Sequence, residues 1–306
     1  MSQAEQVDGA FKDLSSELRN FTEIARGIVP LPGEVPSLAC VDVYGQILPL
    51  NGVAGGDHLI YVDFKTRYDL DARIASAADA GRPDIVANLE RCRRKAGIAL
   101  IDVAGHHGTD AMLAAMFHQA FLTGALYELD ISGSITRRLF ENLNQRFHRT
   151  SSVNKFITML YGEISEDRTF RFLSAAHPPP VIFSVVNDRF MEMDPESFTS
   201  FPPLGTFPSQ NVVDKGRLTR DVLGFKDRYE INEWTLMGTG DILLLHTDGV
   251  LDHARGGELY FPDRLERAIR GAKHSSAEDI VHTIIDDLRA FADPVDDISL
   301  IVLKTG

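Results

Sequence analysis

The chain has 306 residues, 44% hydrophobic and 25% charged, and a net charge of −13. That balance supports a substantial buried core, while the acidic excess argues against nucleic acid as the main partner, since phosphate backbones require clustered Lys and Arg. No run of about 18 apolar residues is present to span a membrane, residues 1–8 lack the pattern of a signal peptide, and two distant cysteines, Cys40 and Cys92, build no zinc or disulfide framework, which fits a reducing cytoplasm.

Residues 9–28 read as a helix, because Phe11, Leu14, Leu18, Phe21, Ala25 and Ile28 recur at 3-4-3-4-3 spacing. This short seam packs on its own domain or on a second copy, so a homodimer through the helix is one expectation. Pro30, Pro32 and Pro36 end it. Strands are predicted over 39–44 and 58–64. A charged helical insert follows, with helices at 69–80 and 84–95 broken at Gly81-Arg82-Pro83. Its basic run, Arg91, Arg93, Arg94 and Lys95, reads as a solvated helix face.

A short, wholly apolar strand at 98–101 leads into a long helix over 109–127, with Thr109 as its cap. Met112 and Met116 read as its core face. A helix over 135–147, capped by Ser134, precedes a hairpin of strands 155–163 and 169–174 and a meander through 181–186 and 189–193. Residues 205–235 are polar and unassigned, with an apparent insertion over 207–229. A strand at 241–246 and a helix at 262–272 come next. Ser275 and Glu278 read as the capping box of a helix that turns Ile280, Val281, Ile284, Ile285, Leu288 and Phe291 inward. A strand at 298–303 closes the chain. Antiparallel meanders with helices in blocks imply an α+β fold. The economical division is an N-terminal helix and Pro-rich connector over 1–35 and one catalytic-sized domain over 36–306, carrying the insert at about 66–97.

Four acidic sites share one local pattern, an acid at the edge of an apolar strand, mostly beside glycine: Gly55-Gly56-Asp57, Asp102 with Gly105, Asp248-Gly249, and Asp296-Asp297. Asp102 and Asp248 end strands, and Asp296 and Asp297 open one. If those strands lie side by side, the carboxylates converge at one end of a sheet. Clustered carboxylates repel unless cations neutralise them. Hard oxygen ligands select Mg²⁺ or Mn²⁺ over zinc, and neighbouring glycines let backbone approach closely. Any one of these acids also fits an ordinary Asp-Gly turn. The joint pattern is harder to explain that way.

Five segments in order resemble the PPM-type protein serine/threonine phosphatases, in the bacterial class typified by stage II sporulation protein E and RsbU. They are Gly55-Gly56-Asp57, Asp102-Val103-Ala104-Gly105-His106, Ala176-His177-Pro178-Pro179-Pro180, Thr247-Asp248-Gly249-Val250 and Asp296-Asp297-Ile298-Ser299-Leu300. The resemblance implies an α-β-β-α sandwich of two antiparallel sheets holding two Mn²⁺ or Mg²⁺ ions. It makes Asp102 the carboxylate bridging both ions, with Val103 lending its backbone carbonyl and Asp57 an acidic ligand to one. Asp248 and Asp296 resemble the ligands of the other ion. Asp297, Gly249 and His106 fall just outside the ligand set. The implied reaction removes phosphate from phosphoserine or phosphothreonine of a regulatory protein, such as an anti-sigma-factor antagonist, by attack of a metal-bridging hydroxide.

The chain departs from that pattern at Gly105-His106-His107-Gly108, where the class reads Gly-His-Gly. Asp63 shares a strand face with Asp57 but lies about 20 Å along it, too far for the same ion. His177 reads as the support of a rigid proline turn, whereas His118, His148, His246 and His282 show no metal-site spacing. A pseudophosphatase that binds a regulator without turnover is the alternative reading.

Overall fold

The computed structural model describes residues 12, 15–17, 19–20, 23–24, 27–30, 34–50, 55–105, 108–150, 155–194, 198–210, 224–234 and 238–306. In chain order these form β1 (Val41–Leu48), β2 (His58–Asp63), α1 (Phe64–Arg67), α2 (Leu70–Asp79), α3 (Pro83–Cys92) and β3 (Lys95–Val103). The middle of the chain forms α4 (Gly108–Ser132), α5 (Arg137–Thr150), β4 (Ile157–Ser165), β5 (Phe170–Ala175), β6 (Val181–Ser184), β7 (Arg189–Phe190), β8 (Ser200–Phe201) and β9 (Asn232–Trp234). The last part holds β10 (Ile242–His246), β11 (Ala254–Arg255), β12 (Glu258–Leu259), α6 (Asp263–Ala272), α7 (Ala277–Phe291) and β13 (Ile298–Thr305).

The apolar strands β3 and β13 dictate the layering, since a strand that is apolar on both faces must be covered on both. In β3, Ile98 and Leu100 point to one buried layer and Ala99, Ile101 and Val103 to another. In β13, Ile301 and Leu303 share the first of these layers, while Ile298, Leu300 and Val302 face a third. One sheet runs β2-β3-β4-β5-β8 with β9 also on β5, and the other runs β1-β13-β10-β6-β7. Pairing is antiparallel apart from β5 with β8. The shared layer lies between the sheets; α4 and α5 cover one outer face, and α6 and α7 the other. The α+β class and the sandwich are as expected.

Several local expectations need correction. The final long helix is capped by Ser276, not Ser275, and its hydroxyl accepts from the Asp279 N–H at 3.1 Å. Thr136, not Ser134, does the same for the Arg138 N–H of α5. Met112 and Met116 are 51% and 41% exposed; α4 is apolar around its circumference, so spacing alone could not select the face on which Phe117, Phe121, Ala125 and Leu129 are buried. The basic run is only partly a solvated helix face: Arg93 pairs with Glu90 and Asp71 and Arg94 with Glu166, but Lys95 enters β3 and is held by Glu163 at 2.6 Å. The seam residues Phe11, Leu14, Leu18, Phe21 and Ala25 lie outside the described residues, as does most of 207–229.

Candidate active site

Register builds the site. In the antiparallel β2–β3 ladder His58 faces Ile101, and the Val103 N–H donating to the Gly56 carbonyl at 3.2 Å carries the ladder one step further. Asp57 therefore lies opposite Asp102. In the other sheet His246 faces Leu300, and Thr247 N–H donates to the Ser299 carbonyl at 3.2 Å. That places Asp248 beside the start of β13, next to Asp296 and Asp297. The acids converge at one edge of the sandwich, two from one sheet and three from the other; their strands do not all lie side by side in a single sheet.

The two groups are tied together across the sheets. Asp57 is buried, and its Oδ2 accepts from the Thr247 hydroxyl at 2.8 Å and the Ser299 hydroxyl at 2.7 Å. Asp297, also buried, accepts from the backbone N–H of Leu50 and of Gly56, both at 2.7 Å. It holds the loop that presents Asp57. Close approach explains the glycines. A Cβ on Gly56 would crowd the carbonyl oxygens of Val103 and Gly105, and one on Gly249 would overlap the Asp297 carbonyl.

The electrostatics are those of a carboxylate cluster whose members raise one another. Burial, then the charge of Asp102, pushes Asp57 well above the carboxylate range against the two hydroxyl bonds that favour its charged form. Burial, then Asp248, Asp296, Asp297 and Asp110, pushes Asp102 up to about 7. Burial and Asp296 also raise Asp248. At neutral pH such a group of acids is strained by its own charge, and a multivalent cation relieves that strain. The donor set, carboxylates plus a backbone carbonyl at Val103, is all hard oxygen and fits a divalent ion of the Mg²⁺ or Mn²⁺ type. Among the described residues no three His, Cys, Asp or Glu side chains stand ready-arranged as a metal site. The acids sense one another without forming a closed cage.

Some contacts could not be read from spacing. Beneath the Asp102 loop, Lys155 donates to the Ala104 carbonyl at 2.9 Å and to the buried Asp110 at 2.5 Å. Asp110 sits in the first turn of α4, where an acid is unremarkable, and nothing in the sequence links it to a lysine 45 positions on. Behind Asp57, the His58 Nε2 and His118 Nδ1 lie 2.6 Å apart, and burial lowers these residues to about 3 and about 4. This neutral pair ties β2 to α4. The His177 Nδ1 lies 3.0 Å from the hydroxyl of Thr158 in β4. Asp63 caps α1 by accepting from Lys65 N–H at 3.2 Å, away from the cluster. His106 and His107 lie outside the described residues.

A family model for stage II sporulation protein E (SpoIIE) matches residues 93–306, which takes in Asp102, Asp248 and Asp296 but not Asp57. Phosphoserine phosphatase RsbU of Bacillus subtilis is 26% identical over 212 residues, covering 68% of this chain and 55% of that protein, so the chain spans little more than half of that relative's length. Among solved structures, the SiaA-PP2C domain of Pseudomonas aeruginosa aligns with a TM-score of 0.64 at 16% identity, covering 97% of this chain and 99% of that one. The RsbU and RsbW domains of Rv1364c from Mycobacterium tuberculosis align with a TM-score of 0.59 at 18% identity, over 89% of this chain and 61% of that one. Likeness at this identity bears on the fold, and the fold is the same sandwich. With 93–306 matched, the chain belongs to the stage II sporulation protein E (SpoIIE) family.

Proposed function

We propose that this chain is a metal-dependent phosphatase acting on phosphoserine or phosphothreonine of a regulatory protein, such as an anti-sigma-factor antagonist. The observation that carries the reading is the cross-sheet convergence of Asp57, Asp102, Asp248 and Asp296, with burial and mutual repulsion raising Asp102 to about 7. The name of the RsbU relative supports the substrate class. Asp57, Asp102 and the Val103 carbonyl would hold one Mn²⁺ or Mg²⁺ ion, and Asp102, Asp248 and Asp296 the other. When bound, such ions make water acidic enough to attack phosphorus and neutralise the charge on the phosphoryl oxygens.

The chain's own contribution is positioning. Thr247 and Ser299 fix the rotamer of Asp57, Asp297 holds the Gly55-Gly56 loop, and Lys155 supports the loop after Asp102 from below. Water supplies the attacking oxygen, so the P–O bond to the substrate hydroxyl breaks without a phosphorylated side chain. Hydrolysis of a phosphoserine peptide and of p-nitrophenyl phosphate, with Mn²⁺ and with chelator, tests the reading. Activity with Mn²⁺ and none in chelator is expected; equal rates in both would overturn it.

One observation favours a second reading. The segment Gly105-His106-His107-Gly108 departs from the Gly-His-Gly of the class, which fits a pseudophosphatase that binds a phosphoprotein without turnover. Retention of all four acids speaks for the enzyme. Peptide binding without hydrolysis at saturating Mn²⁺ would decide for the binding module.

A further inference from the structure

The far end of β3 holds a second feature, opposite in charge to the first and unrelated to it. A cavity of about 130 Å³ opens where α3, the start of α5 and the edges of β4 and β5 meet. In a chain of net charge −13, its lining carries Arg91, Lys95, Arg137 and Arg171 against the single acid Glu163. Two of these cations are already compensated: Lys95 pairs with Glu163 at 2.6 Å and Arg171 with Glu233 at 2.9 Å. The other two are not. Arg91 donates to the neutral Asn88 at 2.9 Å, and among the described residues neither Arg91 nor Arg137 has an acidic partner.

Arg137 is also in an unfavourable place. It opens a 14-residue helix whose first turn contains no acid, where the partial positive charge of the helix end disfavours cations and attracts anions. Its neighbour Arg138 is neutralised by Glu128 at 2.8 Å; Arg137 has no such relief. Thr136 caps α5, and Ser134 lines the cavity beside it. The remaining wall is mixed: the buried Phe140 and Phe172 and the exposed Ile231 give it an apolar part, beside Asn88, Thr136 and Tyr161.

We infer that this cavity is a binding site for a small organic anion with one or two negative charges and a compact apolar body. Arg91 and Arg137 take the charged group, and Phe140, Phe172 and Ile231 take the body. An engineered apolar cavity of about 150 Å³ holds benzene, so a body of roughly one ring fits. The site lies roughly 20 Å along β3 from Asp102, and it gives the helical insert that carries Arg91 a task of its own. The inference stands apart from the proposed phosphatase activity.

Calorimetric titration of the full chain in chelator tests it, with benzoate as the carboxylate probe, phenylphosphonate as the phosphoryl probe, and benzyl alcohol and inorganic phosphate as controls. Saturable one-to-one binding of benzoate, phenylphosphonate or both is expected, and which of them binds identifies the anionic group. Arg137→Gln and Arg91→Gln should each weaken binding by about tenfold, the loss of one hydrogen bond to a charged group. Both residues are exposed, so the variants should melt as the parent does. Three results would each overturn the inference: no saturable binding of either probe, equal binding of a control, or unchanged affinity in Arg137→Gln.

Discussion

The two ends of β3 present the same physical problem and resolve it differently. At Lys95 a charge is half-buried, but Glu163 lies at 2.6 Å and Tyr161 donates to the same carboxylate at 2.9 Å. Burial lowers Lys95, the charge of Glu163 outweighs it, and the lysine ends above its ordinary value. At Asp102 burial acts again, and the charges that act on it most, Asp248, Asp296, Asp297 and Asp110, push in the same direction as burial. The first end is complete within the chain. The second gains stability as an ionised cluster when a cation is added.

The largest expected effect breaks the complete end. Lys95→Met leaves Glu163 half-buried beside a neutral side chain and should cost about 3 kcal/mol in urea unfolding, the low end of the range for breaking a buried pair. Adding Glu163→Leu should recover most of that, because removing both charges also removes the desolvation penalty. Asp102→Asn, at the incomplete end, should leave the chelated protein at least as stable as the parent, since it removes repulsion. It should lower kcat with Mn²⁺ by about 10²–10³-fold, the usual scale for deleting one preorganised charge-stabilising group. Smaller still is Ser299→Ala, which takes one of two hydroxyls from Asp57 and should weaken Mn²⁺ binding by about tenfold in a calorimetric titration.

A third buried charge sharpens the comparison. Lys226 is 3% exposed and donates to the Pro202 and Pro203 carbonyls at 2.6 and 3.1 Å, with no carboxylate partner among the described residues. Burial pushes it from 10.5 down to about 7. The unfolded chain then holds the proton more tightly between those values, so stability rises with pH across that window. Comparison of the parent with Lys226→Met in urea should show this increment, about 1 kcal/mol per pH unit, lost in the variant.

Much of this was legible before any coordinates. The strands carrying Asp102 and Asp296 are runs of apolar residues with an acid at one end, and a run buried on both faces leaves little choice of layer. What sequence spacing could not supply were relations between distant segments. The Lys155–Asp110 pair, the His58–His118 contact and the clasp of Thr247 and Ser299 on Asp57 join residues 45, 60, 190 and 242 positions apart. One-residue errors had a different cause. Ser275 and Ser276 are both sound caps, and only backbone geometry at Ser276, with φ −65° and ψ 162°, decides between them.

The most direct test of the central claim is a calorimetric titration of Mn²⁺ into the full chain and into Asp102→Asn. The proposed site predicts two ions bound per chain and the loss of at least one in the variant, because Asp102 is assigned to both. Absence of saturable Mn²⁺ binding, or identical binding in the two proteins, would contradict it.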